Sequence, residues 1–268
     1  QGWQAALALG FRATEQRNVL ARRKRHGPLA VQRPFYPEGG ICHVYLLHPP
    51  GGVVGGDSLA IDVTLGASAQ ALLTTPGATK FYRSAGQPAR QTQRLLVESG
   101  ATLEWLPQEN IFFPGAEVTL QTRVDLRGDA RLALWEIHCL GRPAIAEGFD
   151  RGLIDSHLSI VRDATPLLLE RLRVGADGRL RGALLAGRPV SGTLIISHAA
   201  EGELIACRQL LPCGGSDCVG ATLIDDLLVL RFLGDSTERA RRLFTEVWQT
   251  LRPGTLGRSP GVPRIWAT

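Results

Sequence analysis

Methionine is absent, and lysine is nearly so, with Lys24 and Lys80 the only two. The first absence carries the expectation of a chain that starts after any initiator. Aromatic residues make up only 6%. No apolar run approaches the roughly 18 residues that a membrane span requires. Residues 1–11 lack the basic start and apolar middle of a signal peptide, so the cytoplasm is the expected location. Five cysteines, Cys42, Cys139, Cys207, Cys213 and Cys218, form no CxxC and no repeating framework. Their spacings match no common zinc module, and reduced thiols are expected.

Catalytic patterns are missing too. There is no GxSxG, no HExxH and no phosphate-binding glycine loop. The six histidines are scattered, with no two at a metal-ligand spacing. These absences disfavour a serine hydrolase, a zinc protease and a nucleotidase, and no catalytic set is evident.

What is present suits a well-buried globule of one large domain or two modest ones: 268 residues, 44% hydrophobic, with mean hydropathy near zero. A net charge of +5 suits an acidic protein partner as well as nucleic acid. The one dense basic cluster, Arg22-Arg23-Lys24-Arg25, precedes His26-Gly27-Pro28 and is expected on an exposed turn. Residues 48–57 (HPPGGVVGGD) place Gly51, Gly52, Gly55 and Gly56 around two valines. Two Gly-Gly pairs allow two sharp bends in little space, and both valines are expected to be buried. The stretch serves either as rigid punctuation or as a functional surface.

Strands are expected over 3–11, 18–21, 29–33 and 59–65, the first and last alternating apolar and polar, with a short apolar strand over 43–47. A loose repeat follows, in which a glycine turn leads into an alternating strand at Gly66, Gly100 and Gly128. Stacked β units produce such a pattern. Residues 118–126 and 131–140 bracket a tight turn and read as a long hairpin. Two loops close the repeats. One carries Lys80, Phe81, Tyr82 and Arg83, the other Phe112 and Phe113. Phe112 and Phe113 are either core plugs or a partner-binding patch, and Lys80, Phe81, Tyr82 and Arg83 are further candidates for partner binding. Strands at 152–160 and 167–174 come next, then a stretch without periodicity. Beyond about residue 190 the pattern changes to mixed strands and helices, so residues 190–268 could form a smaller α+β subdomain of one domain spanning 1–268. One amphipathic helix is expected near the C-terminus, capped by Asp235 with Glu238 and stopped by Pro253. Arg239, Arg241 and Arg242 lie near its positive end, which is locally unfavourable. They serve an acidic partner or form a solvated face. Trp266, close to the chain end, suggests a docked tail. The fold class is therefore mainly β, wrapped or β-helix-like stacked sheets with few helices.

Residues 135–143 (WEIHCLGRP) place Glu136 and His138 on one face of a strand and Trp135, Ile137 and Cys139 on the other. Residues 167–172 (LLLERL) likewise set Glu170 and Arg171 in an apolar strand. Charges inside a β layer need a partner or water. Either these are structural ion pairs, or Glu136 and Glu170 line a hydrated passage through which a divalent first-row ion such as Ni²⁺ could move.

Residues 48–57, 76–84 (PGATKFYRS), 103–114 (LEWLPQENIFFP), 139–143 (CLGRP) and 263–266 (PRIW) together resemble the urease accessory protein family UreD, called UreH in some bacteria. The resemblance implies a non-enzymatic, β-rich scaffold that binds the urease apoprotein and UreF, and through UreF the GTPase UreG. It implies assistance to nickel insertion, with nickel in transit through an internal channel and no tightly bound cofactor. It does not supply a firm set of metal ligands. The alternative is a nucleic-acid-binding β protein using its basic surface, but the aromatics are not interleaved with the basic run as a base-stacking platform requires.

Overall fold

A computed structural model describes residues 2–175 and 177–267. The chain opens with β1 (Gln4–Ala13), β2 (Asn18–His26), β3 (Ala30–Val31) and β4 (Cys42–Leu47). It then winds through a first coil of β5 (Ser58–Leu65), β6 (Gln70–Thr74) and β7 (Thr79–Phe81). A second coil repeats the plan with β8 (Ala89–Val97), β9 (Thr102–Trp105) and β10 (Asn110–Phe112). A third begins with β11 (Glu117–Leu126) and β12 (Arg131–Leu140). The remainder is β13 (Leu153–Arg162), β14 (Thr165–Gly175), β15 (Val190–Ile196), α1 (Glu201–Gln209), β16 (Cys218–Ile224), β17 (Leu227–Gly234) and α2 (Thr237–Leu256).

Successive coils stack in parallel. β5, β8 and β11 are neighbours in a seven-stranded sheet ordered β14-β13-β11-β8-β5-β1-β2. β6, β9 and β12 are neighbours in a ten-stranded sheet. This is the solenoid-like stacking expected from the glycine repeat, and those glycines mark its corners. Gly100, at φ +70°, turns one coil directly above the last, and a Cβ there would lie 3.0 Å from Ser68 Oγ. The Asp129 carboxylate accepts from Gly100 N at 2.7 Å and so ties one corner to the next.

Several local expectations are corrected. β11 and β12 are not a hairpin. The turn between them carries the chain from one sheet to the other; β11 pairs in parallel with β8 and β13, and β12 pairs in parallel with β9 and antiparallel with β15. The basic cluster is not on a turn but within β2, the edge strand of the seven-stranded sheet. Charges belong there, because they deter edge-to-edge pairing. Of the two valines in the glycine bend only Val53 is buried, and Val54 is 47% exposed. The two closing loops are in part short strands, since β10 pairs in parallel with both β7 and β12.

One core lies between the sheets. A second lies between the outer face of the ten-stranded sheet and the helices, where Trp135, Phe244, Val247 and Trp248 meet. The N-cap of α2 is Ser236, whose Oγ accepts from Arg239 N at 3.2 Å, so the cap falls one residue after Asp235. Pro253 does not stop the helix but lies in its last turn, and the helix ends at Gly257 in the left-handed conformation. α2 is pinned by a buried ionic network. Glu104 on β9 receives two hydrogen bonds from Arg252, both at 2.9 Å, and one from Trp248 Nε1 at 2.8 Å. Arg258 also donates to Glu104, and Arg252 reaches Glu38 at 2.6 Å. Glu104 and Arg252 are wholly buried, so each charge depends on the other. The tail is docked as expected. Trp266 packs 5.3 Å from Trp135 and donates from Nε1 to Thr74 Oγ1 at 2.9 Å.

Candidate functional site: a polar seam between the sheets

β12 sorts its side chains by alternation as the sequence requires. Trp135, Ile137 and Cys139 join the core under α2. Burial there pushes the Cys139 thiol up to about 12, which makes it a poor metal ligand. Glu136 and His138 take the opposite phase, and their side chains are only 13% and 7% exposed.

Polar groups from three further strands meet them. The Thr122 hydroxyl on β11 donates to Glu136 Oε1 at 2.5 Å and lies 3.3 Å from Gln93 Oε1 on β8. His138 Nε2 lies 3.7 Å from Glu136 Oε2, and Asn110 Nδ2 on β10 lies 3.5 Å from His138 Nδ1. Glu136 borders two cavities. One, of about 220 Å³, is also lined by Gln91, Gln93, Asn110 and Trp105. The other, of about 620 Å³, is also lined by His138, Ser156, Glu170 and Arg231. Lys80 and His48 border the first cavity. Burial lowers the affinity of His48 for a proton, partly offset by Asp57.

The second cavity brings together Glu136, His138, Glu170 and Arg171, which the sequence placed in two separate segments. Glu170 is ion-paired with Arg231 on β17, so the pair bridges β14 of one sheet and β17 of the other. Arg171 borders the cavity, but its guanidinium forks onto Asp155 at 2.8 and 2.7 Å. Sequence reasoning missed Thr122, Gln93, Ser156, Asn110 and Arg231. A signal existed for one of them. Gln91 and Gln93 occupy the inward phase of β8 between Ala89 and Leu95, a polar break in an otherwise apolar face.

Of the other candidates, Lys80, Gly51 and Gly52 border the first cavity, and the Phe112 ring meets His138 edge-on at 5.6 Å. Phe81 and Phe112 are core plugs, fully buried and stacked at 5.2 Å. Tyr82 and Phe113 are half-buried, 4.7 Å apart, with Arg142 over the Phe113 ring. Lys80 and Arg83 are exposed, as is Arg242. Arg239 is held by Asp217 in a bidentate pair at 2.7 and 2.8 Å. Arg241 reaches Gln108 at 2.6 Å. In the glycine bend, Gly52 lies against Tyr82, where a Cβ would meet the ring at 2.1 Å.

Among the described residues no three His, Cys, Asp or Glu side chains gather as a metal cage requires. The seam instead offers carboxylate, amide, hydroxyl and imidazole groups strung between two cavities. Such a line can make successive weak contacts with a cation but encloses none of them tightly. No described helix is long and apolar enough to cross a membrane.

Fold and seam together define a stacked-sheet protein with a cluster of polar side chains between its two sheets. The family model described as UreD urease accessory protein matches residues 4–267. Urease accessory protein UreD of Alcanivorax borkumensis is 49% identical over 274 residues, covering 100% of this chain and 93% of the relative. The protein of the same name from Enterobacter sp. strain 638 is 49% identical over 267 residues, covering 100% and 96%. That of Klebsiella aerogenes is 47% identical over 268 residues, covering 100% and 98%. The chain belongs to the UreD family of urease accessory proteins.

Proposed function

We propose that this protein is a non-catalytic, cytoplasmic urease maturation factor. It binds the urease apoprotein together with UreF, and through UreF the GTPase UreG, and it passes nickel toward the urease active site. Nickel is cargo here and not a resident cofactor. Family membership over nearly the whole chain supports the role in urease maturation. The single observation that supports transit is the position of Glu136 as a shared wall of two cavities.

The chemistry suits transfer. A tight cage would retain Ni²⁺, whereas isolated oxygen and nitrogen donors exchange with water at each step. Glu136 supplies the central negative charge. Thr122 holds one of its oxygens, leaving the other toward His138. Glu170 supplies a second carboxylate in the larger cavity, with its charge partly neutralised by Arg231.

The test is coexpression of the tagged chain with UreF, UreG and the urease subunits. Recovered material is assayed for partners, nickel and urease activity. Partner recovery with nickel-dependent activation is expected. Full activation of urease at ordinary nickel levels in cells lacking this chain would overturn the reading.

A further inference from the structure

The two sheets are covered unequally. α1 and α2 pack on β12, β15 and β16 of the ten-stranded sheet. Among the described residues neither helix packs closely on the seven-stranded sheet, and on its outer face the outward residues of β2, β8 and β11 are exposed. The register gives that face its composition. β1 presents Ala6, Ala8 and Gly10 outward, with Ala60 beside them on β5, so its floor is flat. Exposed cations stand on either side, Arg22 and Lys24 on β2 and Arg90, Arg94 and Arg123 on β8 and β11.

One row across this face runs Lys24, Ala8, Asp62, Arg94, Arg123. Arg94 and Arg123 are therefore direct neighbours on adjacent strands. Like charges side by side on a sheet are destabilising. Arg123 is partly relieved by Asp125, at 2.8 and 2.9 Å. Arg22, Lys24, Arg90 and Arg94 have no ion-pair partner among the described residues. Asp62 stands on the other side of Arg94, so the face is mixed in sign, but its exposed cations Arg22, Lys24, Arg90, Arg94 and Arg123 give this flat surface the charge complement of an anionic one.

We infer that the outer face of the seven-stranded sheet docks an acidic protein surface. A protein is favoured over a nucleic acid for two reasons. Asp62, Asp125 and Asp155 are interspersed among the cations and would repel a continuous phosphate backbone. The face also presents no aromatic ring in the rows named, so bases have nothing to stack on. Carboxylates on a protein can instead alternate with cations and match a mixed field.

The choice of natural partner rests on the proposed function; the surface itself does not. Binding of the full chain to purified urease apoprotein is measured against salt for the unaltered protein, for R94E/R123E, and for R33E/R264E, which reverses two exposed arginines away from this sheet. R94E/R123E is expected to weaken binding by about tenfold or more at low salt and to flatten the salt dependence, with R33E/R264E unchanged. Equal binding by all three overturns the inference. If the unaltered protein does not bind the apoprotein, the maturation reading fails and a second arm decides the surface. Labelled oligo-glutamate and duplex DNA of matched charge are then titrated. Oligo-glutamate binding that is lost in R94E/R123E supports the surface. Binding indifferent to that variant, or tighter binding to DNA, overturns it.

Discussion

Thr122 and Glu136 stand on opposite sheets, and the Thr122 hydroxyl donates to Glu136 Oε1 at 2.5 Å across the interior. This contact joins the layers where hydrophobic packing is interrupted, and it fixes the carboxylate that borders both cavities. Thr122→Val keeps the shape and removes the donor. A lost hydrogen bond to a charged group costs about 1.5–3 kcal/mol, to be read from urea unfolding. Nickel-dependent urease activation is expected to fall as well, because the carboxylate loses its fixed orientation. A variant unchanged in both readouts contradicts this role.

The Glu104 network is the most exacting structural element. Glu104→Gln leaves Arg252 and Arg258 buried without their shared anion. Breaking a buried pair from one side costs about 3–5 kcal/mol. Unfolding in urea should shift accordingly, with the tryptophan fluorescence of Trp248 and Trp266 reporting loss of the docked helix and tail. A loss below about 1 kcal/mol, the scale of a surface pair, would show that the network is not closed in solution.

Much of the stacking was legible because it is local. A glycine corner followed by alternation is a pattern within some ten residues, and it located β6, β9 and β12. What pairs with what is not local. The turn after β11 has the residues of a hairpin turn, but β8 and β13 occupy both of its ladder edges, so the chain crosses to the other sheet. Edge position is equally invisible, and so the charges of β2 suggested a turn. Within the seam, Glu136 and His138 were visible as charges out of place in an apolar strand. Their partners Thr122, Asn110 and Ser156 are unremarkable in their own segments and become a site only through stacking. Glu104, in a short strand with wholly buried neighbours, gave no sign of Arg252, which lies far along the chain.

Acid should weaken the fold through Glu38. Burial alone would raise its carboxyl, but the neighbouring His43 and Arg252 outweigh that and hold it at about 2, against 4.5 when unperturbed. A depressed carboxyl contributes stability that is complete above its unfolded value and lost as pH falls through the folded one. The loss therefore lies between about pH 4.5 and 2 and is on the order of 3 kcal/mol. Glu38→Gln should be less stable at pH 7 and should flatten this limb of the stability curve. An unchanged acid limb would contradict the assignment.

Thiol reactivity should divide the cysteines into two groups. Cys213 and Cys218 are exposed, while Cys42, Cys139 and Cys207 are buried. Burial pushes Cys139 up to about 12 and Cys207 up to about 11, so both remain protonated at neutral pH. Titration of the native protein with a chromogenic disulfide should label Cys213 and Cys218 quickly and the other three only on unfolding. Rapid labelling of Cys139 would mean that the core beneath α2 opens readily.

The most direct test of the account compares the unaltered chain with Glu136→Ala and Glu170→Ala in the coexpressed assembly, measuring nickel per urease active site and the amounts of UreF, UreG and urease recovered. The account predicts full partner recovery with nickel loading clearly reduced in both variants. Full recovery with normal nickel loading in both would contradict it, leaving the two carboxylates as structural groups only.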